Sequence, residues 1–261
     1  MIKKYLKKQT KSTTTLLKPQ RVVWTEHFYP KIITHQKSII RKTHADYQLA
    51  KAGNNEAAMK IAIDMLSANA IMTLNKIIGN KNIILLPISS LEEVGVNKIP
   101  RALANLLSDY LDCDVDTSIY QINSPQRTGK NPSYRMKNQP LFIGEVIKNQ
   151  DYILVDDHSS MGATFANLIG YIETNGGRVI ATTAISARVE NIAINNKAIN
   201  KSKQNIATKH FEKVLSSIIR QEVGYEFDYK RLTKAELGYL TQRIIKQRKS
   251  DKVKKNTSAI R

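Results

Sequence analysis

One cysteine, Cys113, stands in 261 residues. A single thiol excludes an internal disulfide and any zinc site built on cysteines, and it fits a reducing cytoplasm. The five histidines, His27, His35, His44, His158 and His210, show no metal-ligand spacing. Four of them read as surface or packing residues; His158 differs because it adjoins two acids. No apolar run reaches the roughly eighteen residues of a membrane span. The N-terminal MIKKYLKKQTKSTTTLLK is basic but has no apolar stretch of the secretory kind. Internal repeats, a G-x-x-x-x-G-K-[ST] phosphate loop and a Ser-His-Asp arrangement in sequence are all missing.

Acidic residues are scarce at both ends. Residues 1–21 hold seven Lys/Arg and no acid, and residues 243–261 hold eight Lys/Arg against Asp251 alone. The whole chain carries 41 basic and 22 acidic residues, a net charge of +19. That balance suits contact with phosphates, on a nucleic acid, a nucleotide or an anionic lipid. A composition rich in Lys, Asn and Ile raises the charge by itself. Like charges repel and offer little apolar surface, so residues 1–21 and 246–261 read as solvated tails, open to salt-sensitive contact with nucleic acid.

Between the tails the hydrophobic pattern divides the chain into residues 22–80, 81–190 and 191–245. The first part reads as helical, with a long helix starting at Asn54, Asn55 and Glu56, its apolar residues at three- and four-residue steps (Met59, Ile63, Leu66, Ile71), stopping at Gly79. In the middle part, short apolar runs at residues 82–87, 152–155 and 178–185 alternate with helical stretches at 101–111 and 165–174, and residues 115–122 read as a further strand. Strands alternating with helices predict an α/β fold, a parallel sheet covered on both faces. Residues 207–245 return to helical periodicity, and Thr233 followed by Glu236 has capping-box spacing. Trp24, Phe28 and Tyr29 read as an aromatic anchor for the N-terminal segment.

Residues 152–164, YILVDDHSSMGAT, carry the chemistry. An apolar strand ends in Asp156 and Asp157, and a loop of small and hydroxyl residues leads into a helix. Backbone N–H groups of such a loop converge on an anion, and the helix dipole favours negative charge there. Gly162 permits close backbone approach, and Ser160 and Thr164 add hydroxyl donors. Ligands of open α/β sheets sit at this carboxyl end of the strands. The acids suit the vicinal hydroxyls of a sugar attached to the phosphate and could hold a magnesium ion through water. A ribose 5-phosphate is the ligand that satisfies both halves.

Four apolar residues, two acids, four variable residues, Gly, one residue and Thr resemble the phosphoribosyl-pyrophosphate (PRPP) motif of type I phosphoribosyltransferases, whose usual form is roughly LLVDDVLTTGAT. His158 and Met161 depart from it, standing where an apolar residue and a small or Thr residue are usual. Residues 94–104 (VGVNKIPRALA) and 124–142, with Arg135, Asn138 and Phe142, look like segments of the family's ComF-like branch. The resemblance covers about residues 82–187. It implies a type I phosphoribosyltransferase core with helical N- and C-terminal additions, transfer of a phosphoribosyl group from PRPP to an acceptor with release of pyrophosphate, and Mg2+ as cofactor; the single cysteine points to the cytoplasm, and the sequence leaves the oligomeric state open, a homodimer included. It implies Asp156 and Asp157 as catalytic and water-mediated metal residues. Ser159, Ser160, Met161, Gly162, Ala163 and Thr164 would hold the 5-phosphate. The loop after the first core strand, with Ser89 and Ser90, and a mobile flap at residues 124–139, with Arg127, Lys130 and Arg135, would contact pyrophosphate. The same fold also hosts PRPP- or nucleotide-sensing regulators without turnover, and the ComF-like branch suggests a nucleic-acid-associated accessory protein, so the fold alone does not choose.

Overall fold

The computed structural model of the chain describes residues 18–24, 31–37, 44–89, 97–123 and 130–258. The elements in order are β1 (Ile32–Thr34), α1 (Tyr47–Lys51), α2 (Asn55–Met65), α3 (Ala68–Ile78), β2 (Ile83–Pro87), α4 (Ile99–Leu111), β3 (Asp114–Val115), β4 (Tyr120–Gln121), α5 (Pro132–Lys137), β5 (Phe142–Ile143), β6 (Asp151–Ser159), α6 (Ala163–Thr174), β7 (Arg178–Ala187), α7 (Asn196–Ile206), α8 (Phe211–Val223) and, after a 3-10 turn at Tyr229–Arg231, α9 (Lys234–Ser258).

The protein is α/β. Five parallel strands lie in the order β1-β7-β6-β2-β3, and β4 and β5 form a separate antiparallel pair. Alternation along each strand sends side chains to two different cores. Ile83 and Leu85 of β2 and Ile153 and Val155 of β6 pack under α1–α4. Ile84, Leu86, Tyr152 and Leu154 pack under α6. This double coverage explains why the central strands are almost continuously apolar. A third cluster joins α7, α8 and α9 with Met136 of α5 and Ile194. The connection after β2 returns through α4 on one face and that after β6 through α6 on the other, so the carboxyl ends of β2 and β6 flank a topological switch point.

The segment expected to be helical over 22–80 also supplies a strand. β1 pairs in parallel with β7 at Ile32–Thr182 through Thr34–Ala184; three residues are too few to show a period. The long helix expected from Asn54 to Gly79 is two helices. Asn54 caps α2 through Ala57 N–H, Ser67 caps α3 through Ala70 N–H, and Gly79 ends α3 at φ +54°. Among the described residues no single helix is long and apolar enough to cross a membrane, and α2 and α3 reach that length only across an 88° bend. The expected strand at 115–122 splits between β3 and β4, which belong to different sheets. The capping box forms as predicted: Glu236 N–H donates to Thr233 Oγ1 at 3.2 Å and Thr233 N–H to Glu236 Oε2 at 2.8 Å. Trp24 is an anchor, its indole N–H donating to the Leu232 carbonyl at 2.6 Å; Phe28 and Tyr29 lie outside the described residues. Where the sequence predicts a tail from residue 246, α9 continues to Ser258.

His35 closes the edge at β1 as a buried neutral imidazole. Its Nδ1 accepts from Ser67 N–H at 3.2 Å, its Nε2 lies 3.2 Å from Thr183 Oγ1, and that hydroxyl donates to the Ile33 carbonyl at 2.8 Å. Burial pushes its pKa down to about 4 from an ordinary 6.5. A depressed folded pKa means stability that is complete above pH 6.5 and is lost as pH falls through about 4. That loss is on the order of 3 kcal/mol. Urea unfolding of the wild type and His35→Gln across pH 7 to 4 isolates it: the variant is expected to be less stable at pH 7, with a shallower acid slope. Parallel slopes contradict the assignment.

Candidate functional site: an anion loop beside two buried acids

β6 runs Asp151–Ser159 and α6 begins at Ala163, leaving Ser160, Met161 and Gly162 as the loop. Gly162 is the N-cap of α6 at φ +76°, and a Cβ there would stand 2.8 Å from Ile192 Cγ2. The N-cap glycine gives α6 no side-chain cap, as at α1, α4 and α8, whereas Asn54, Ser67, Asn131 and Asn195 cap α2, α3, α5 and α7. The first N–H groups of a helix have no intrahelical acceptor, so the α6 terminus presents donors and a positive dipole end to the loop.

The acids stand at the base of this terminus, Asp156 9% and Asp157 5% exposed. Asp157 N–H donates to Asp156 Oδ1 at 2.8 Å. Burial, with the Asp157 carboxyl beside it, holds the Asp156 carboxyl well above the usual carboxylate range. Asp157 Oδ2 accepts from Lys51 Nζ at 3.1 Å. Burial opposes the Lys51 charge, but Asp157, together with Tyr47 and Asp156, raises the pKa of the ammonium above its ordinary value. His158 sits opposite Ser186 in the β6–β7 register, with Nδ1 2.9 Å from Ser186 Oγ.

Cations surround the loop. The Arg135 guanidinium donates to Ser160 Oγ, and its Nε–H donates to the Lys130 carbonyl at 3.0 Å. Burial and the nearby Arg188 lower the Arg135 pKa, so the two cations repel one another. Arg188 follows β7, and its N–H donates to the Ser159 carbonyl at 2.8 Å. Two neighbouring guanidinium groups suit a dianion. The loop is also braced from the C-terminal layer: Thr233 Oγ1 donates to the Met161 carbonyl at 2.6 Å, and Met161 packs against the third core cluster.

The expected site residues therefore divide. Asp156, Asp157, Ser159, Ser160, Met161, Gly162, Ala163 and Thr164 lie on one strand–loop–helix turn, and Arg135 joins them. Ser159 is buried at the strand end. Ser89 follows β2, the neighbour of β6, and its carbonyl accepts from Gln121 N–H at 2.9 Å. The Lys130 ammonium lies over the Tyr134 ring, 5.5 Å from its centroid, and contributes to the loop through its carbonyl. Ser90 and Arg127 lie outside the described residues. The segment expected to be a mobile flap is, over its second half, the helix α5, packed through Met136 and tied by Ser133 Oγ to Glu222 Oε2 at 2.8 Å. Lys51, Arg188, Ile192 and Thr233 were not identifiable as site residues in the sequence. Their partners are 106, 29, 30 and 72 positions away, and only the fold brings them in. A cavity of about 900 Å3 lies elsewhere, lined by Lys18, Arg21, Thr174, Arg220 and Tyr225 among others, with no loop residue in its wall.

Fold and loop together define an α/β protein with a strand–loop–helix turn at the switch point of a parallel sheet. No protein-family model matches the chain. It is 34% identical to "Protein TraN" of Escherichia coli over 223 residues, 85% of this chain and 48% of that protein. It is 39% identical to an uncharacterized protein of Haemophilus influenzae over 152 residues, 58% of this chain and 34% of that protein. The chain thus spans about half or less of the length of these curated relatives. Among solved structures it is similar to the UMP synthase of Leishmania donovani (14% identity, TM-score 0.30, 51% of this chain and 22% of that one). It is also similar to a purine phosphoribosyltransferase of Pyrococcus horikoshii (16%, TM-score 0.29, 48% and 81%).

Proposed function

We propose that residues 156–164 bind the ribose 5-phosphate part of PRPP or a related ligand, and that the protein transfers the phosphoribosyl group to an acceptor with release of pyrophosphate. The observation that carries this reading is the N-terminus of α6, opened without a side-chain cap by Gly162 at φ +76° on the loop that follows two buried acids. The backbone N–H groups and the Ser160 and Thr164 hydroxyls would hold the 5-phosphate. Asp156 and Asp157 would accept hydrogen bonds from the ribose hydroxyls. Arg135 and Arg188 would face the anionic leaving group. Transfer at C1 passes through a cationic, oxocarbenium-like centre, so positioning and charge stabilisation supply most of the rate.

A second reading, a PRPP or nucleotide sensor without turnover, is favoured by one observation: the loop is tied down by Thr233 at Met161, and half of the segment that would close over the ligand is a packed helix. Pyrophosphate release separates the two. Incubated with Mg-PRPP and a panel of purine, pyrimidine and other nitrogen acceptors, the protein is expected to release pyrophosphate with at least one, and the double variant Asp156→Asn/Asp157→Asn with none. Binding of PRPP without release across the panel moves the function to the sensor. Unchanged PRPP affinity in the double variant ends both readings.

A further inference from the structure

We propose that Lys51 supplies the counter-charge of the acidic pair, so that a ribose 5-phosphate ligand binds without a divalent metal ion. The proposal rests on the reading of the loop given above. Asp157 shares the face of β6 that carries Ile153 and Val155, the face covered by α1–α4, and Lys51 arrives from that layer at the end of α1. Its ammonium lies 3.1 Å from Asp157 Oδ2, with only 27% of the Lys51 side chain and 8% of the Asp157 side chain exposed. The helix that delivers it is fixed. Ala50 is fully buried, and the Ala50 carbonyl accepts from Lys98 N–H at 3.2 Å. The ammonium also lies 6.0 Å from the Tyr47 ring centroid.

A resident magnesium ion does not fit these residues. Mg2+ demands about six oxygens in near-octahedral order at roughly 2.0–2.1 Å. Here Asp157 Oδ2 already faces a cation and Asp156 Oδ1 accepts the Asp157 N–H. A dication placed at Asp157 would meet the lysine charge across a few ångströms in a shielded site, where repulsion is strong. The lysine instead does what the ion would do for the acids: it neutralises one carboxylate of two that stand side by side. An ammonium has three N–H donors. One addresses Asp157, and its position beside the acid aims others at the oxygens of a sugar whose hydroxyls the acids accept. The ligand phosphate then meets the α6 terminus with the Ser160 and Thr164 hydroxyls, so the acids and the phosphate of ribose 5-phosphate are both answered by the chain itself.

The test is calorimetric titration of the full chain with ribose 5-phosphate, in excess EDTA and in excess Mg2+. The wild type is expected to bind in EDTA within about threefold of its affinity in Mg2+. Lys51→Met is expected to lose about tenfold or more in EDTA and to recover part of it when Mg2+ fills the vacated position. Wild-type binding that disappears in EDTA overturns the proposal and leaves the ribose 5-phosphate reading standing, as does Lys51→Met binding in EDTA as tightly as the wild type. Failure of the wild type to bind under either condition removes that reading, and the proposal with it. If thermal melting shows that Lys51→Met does not fold, the wild-type comparison decides alone.

Discussion

Replacing Arg21 with alanine is expected to destabilise the protein by about 3–5 kcal/mol, the cost of leaving one partner of a buried ion pair alone. For a chain of this size that is a fall in melting temperature of roughly 10 °C. The side chains of Arg21 and Glu236 are 2% and 1% exposed. Every guanidinium N–H has an acceptor. Nε–H donates to Asn167 Oδ1, Nη1 to the Arg231 carbonyl at 3.1 Å and Glu236 Oε2 at 2.6 Å, and Nη2 to Gln139 Oε1 at 2.7 Å and Glu236 Oε1 at 2.9 Å. Asn167 belongs to α6, Gln139 follows α5 and Glu236 begins α9, so one side chain joins the core, the segment beside the loop and the C-terminal layer. The N-terminal segment gets close enough because Gly170 of α6 has no Cβ where the backbone of Gln20 and Arg21 crosses. The damage should reach the site as well, because Glu236 accepts from Thr233 N–H and Thr233 holds the Met161 carbonyl. Chemical unfolding of Arg21→Ala, Glu236→Gln and the double variant measures the coupling. The double variant should cost clearly less than the sum of the two; additive losses contradict a shared network.

Gly162→Ala is the second large effect, and it falls on ligand affinity. At φ +76° an L-residue carries strain of about 1–2 kcal/mol. The added methyl would also lie 2.8 Å from Ile192 Cγ2, a distance that forces the loop or Ile192 to move. Either movement turns the α6 donors away from the phosphate, and a loss of tenfold or more in ribose 5-phosphate affinity, about 1.4 kcal/mol, is expected. Adding Ile192→Ala removes the clash but not the strain, so affinity should return in part. Wild-type affinity in Gly162→Ala would mean that the turn does not contact the ligand.

Much of this architecture was legible because it rests on local signals. The alternation of short apolar runs with helical stretches specified the parallel sheet. Asp156, Asp157 and Gly162 marked the strand–loop–helix turn, and Thr233 with Glu236 marked the start of α9. The features that escaped depend on distant partners. Arg21 lies in a run of cations and reads as solvated, yet it is buried because acceptors more than a hundred positions away converge on it. Lys51 looks like any lysine at a helix end until α1 is laid against the end of β6. β1 is a strand because β7 offers it an edge, not because its three residues demand it. Arg135 was named from resemblance to a flap, and the structure gives it a different setting, on a packed helix with its guanidinium on Ser160.

The central claim, that the turn from Asp156 to Thr164 is a ribose 5-phosphate site, is tested most directly by where the ligand is felt. In an isotope-labelled sample titrated with ribose 5-phosphate, the backbone amides of Ser160, Met161, Gly162, Ala163 and Thr164 should shift together and saturate with one dissociation constant. The residues around the Lys18–Arg231 cavity should stay in place. Saturating shifts at that cavity with an unmoved Gly162 amide would contradict the account.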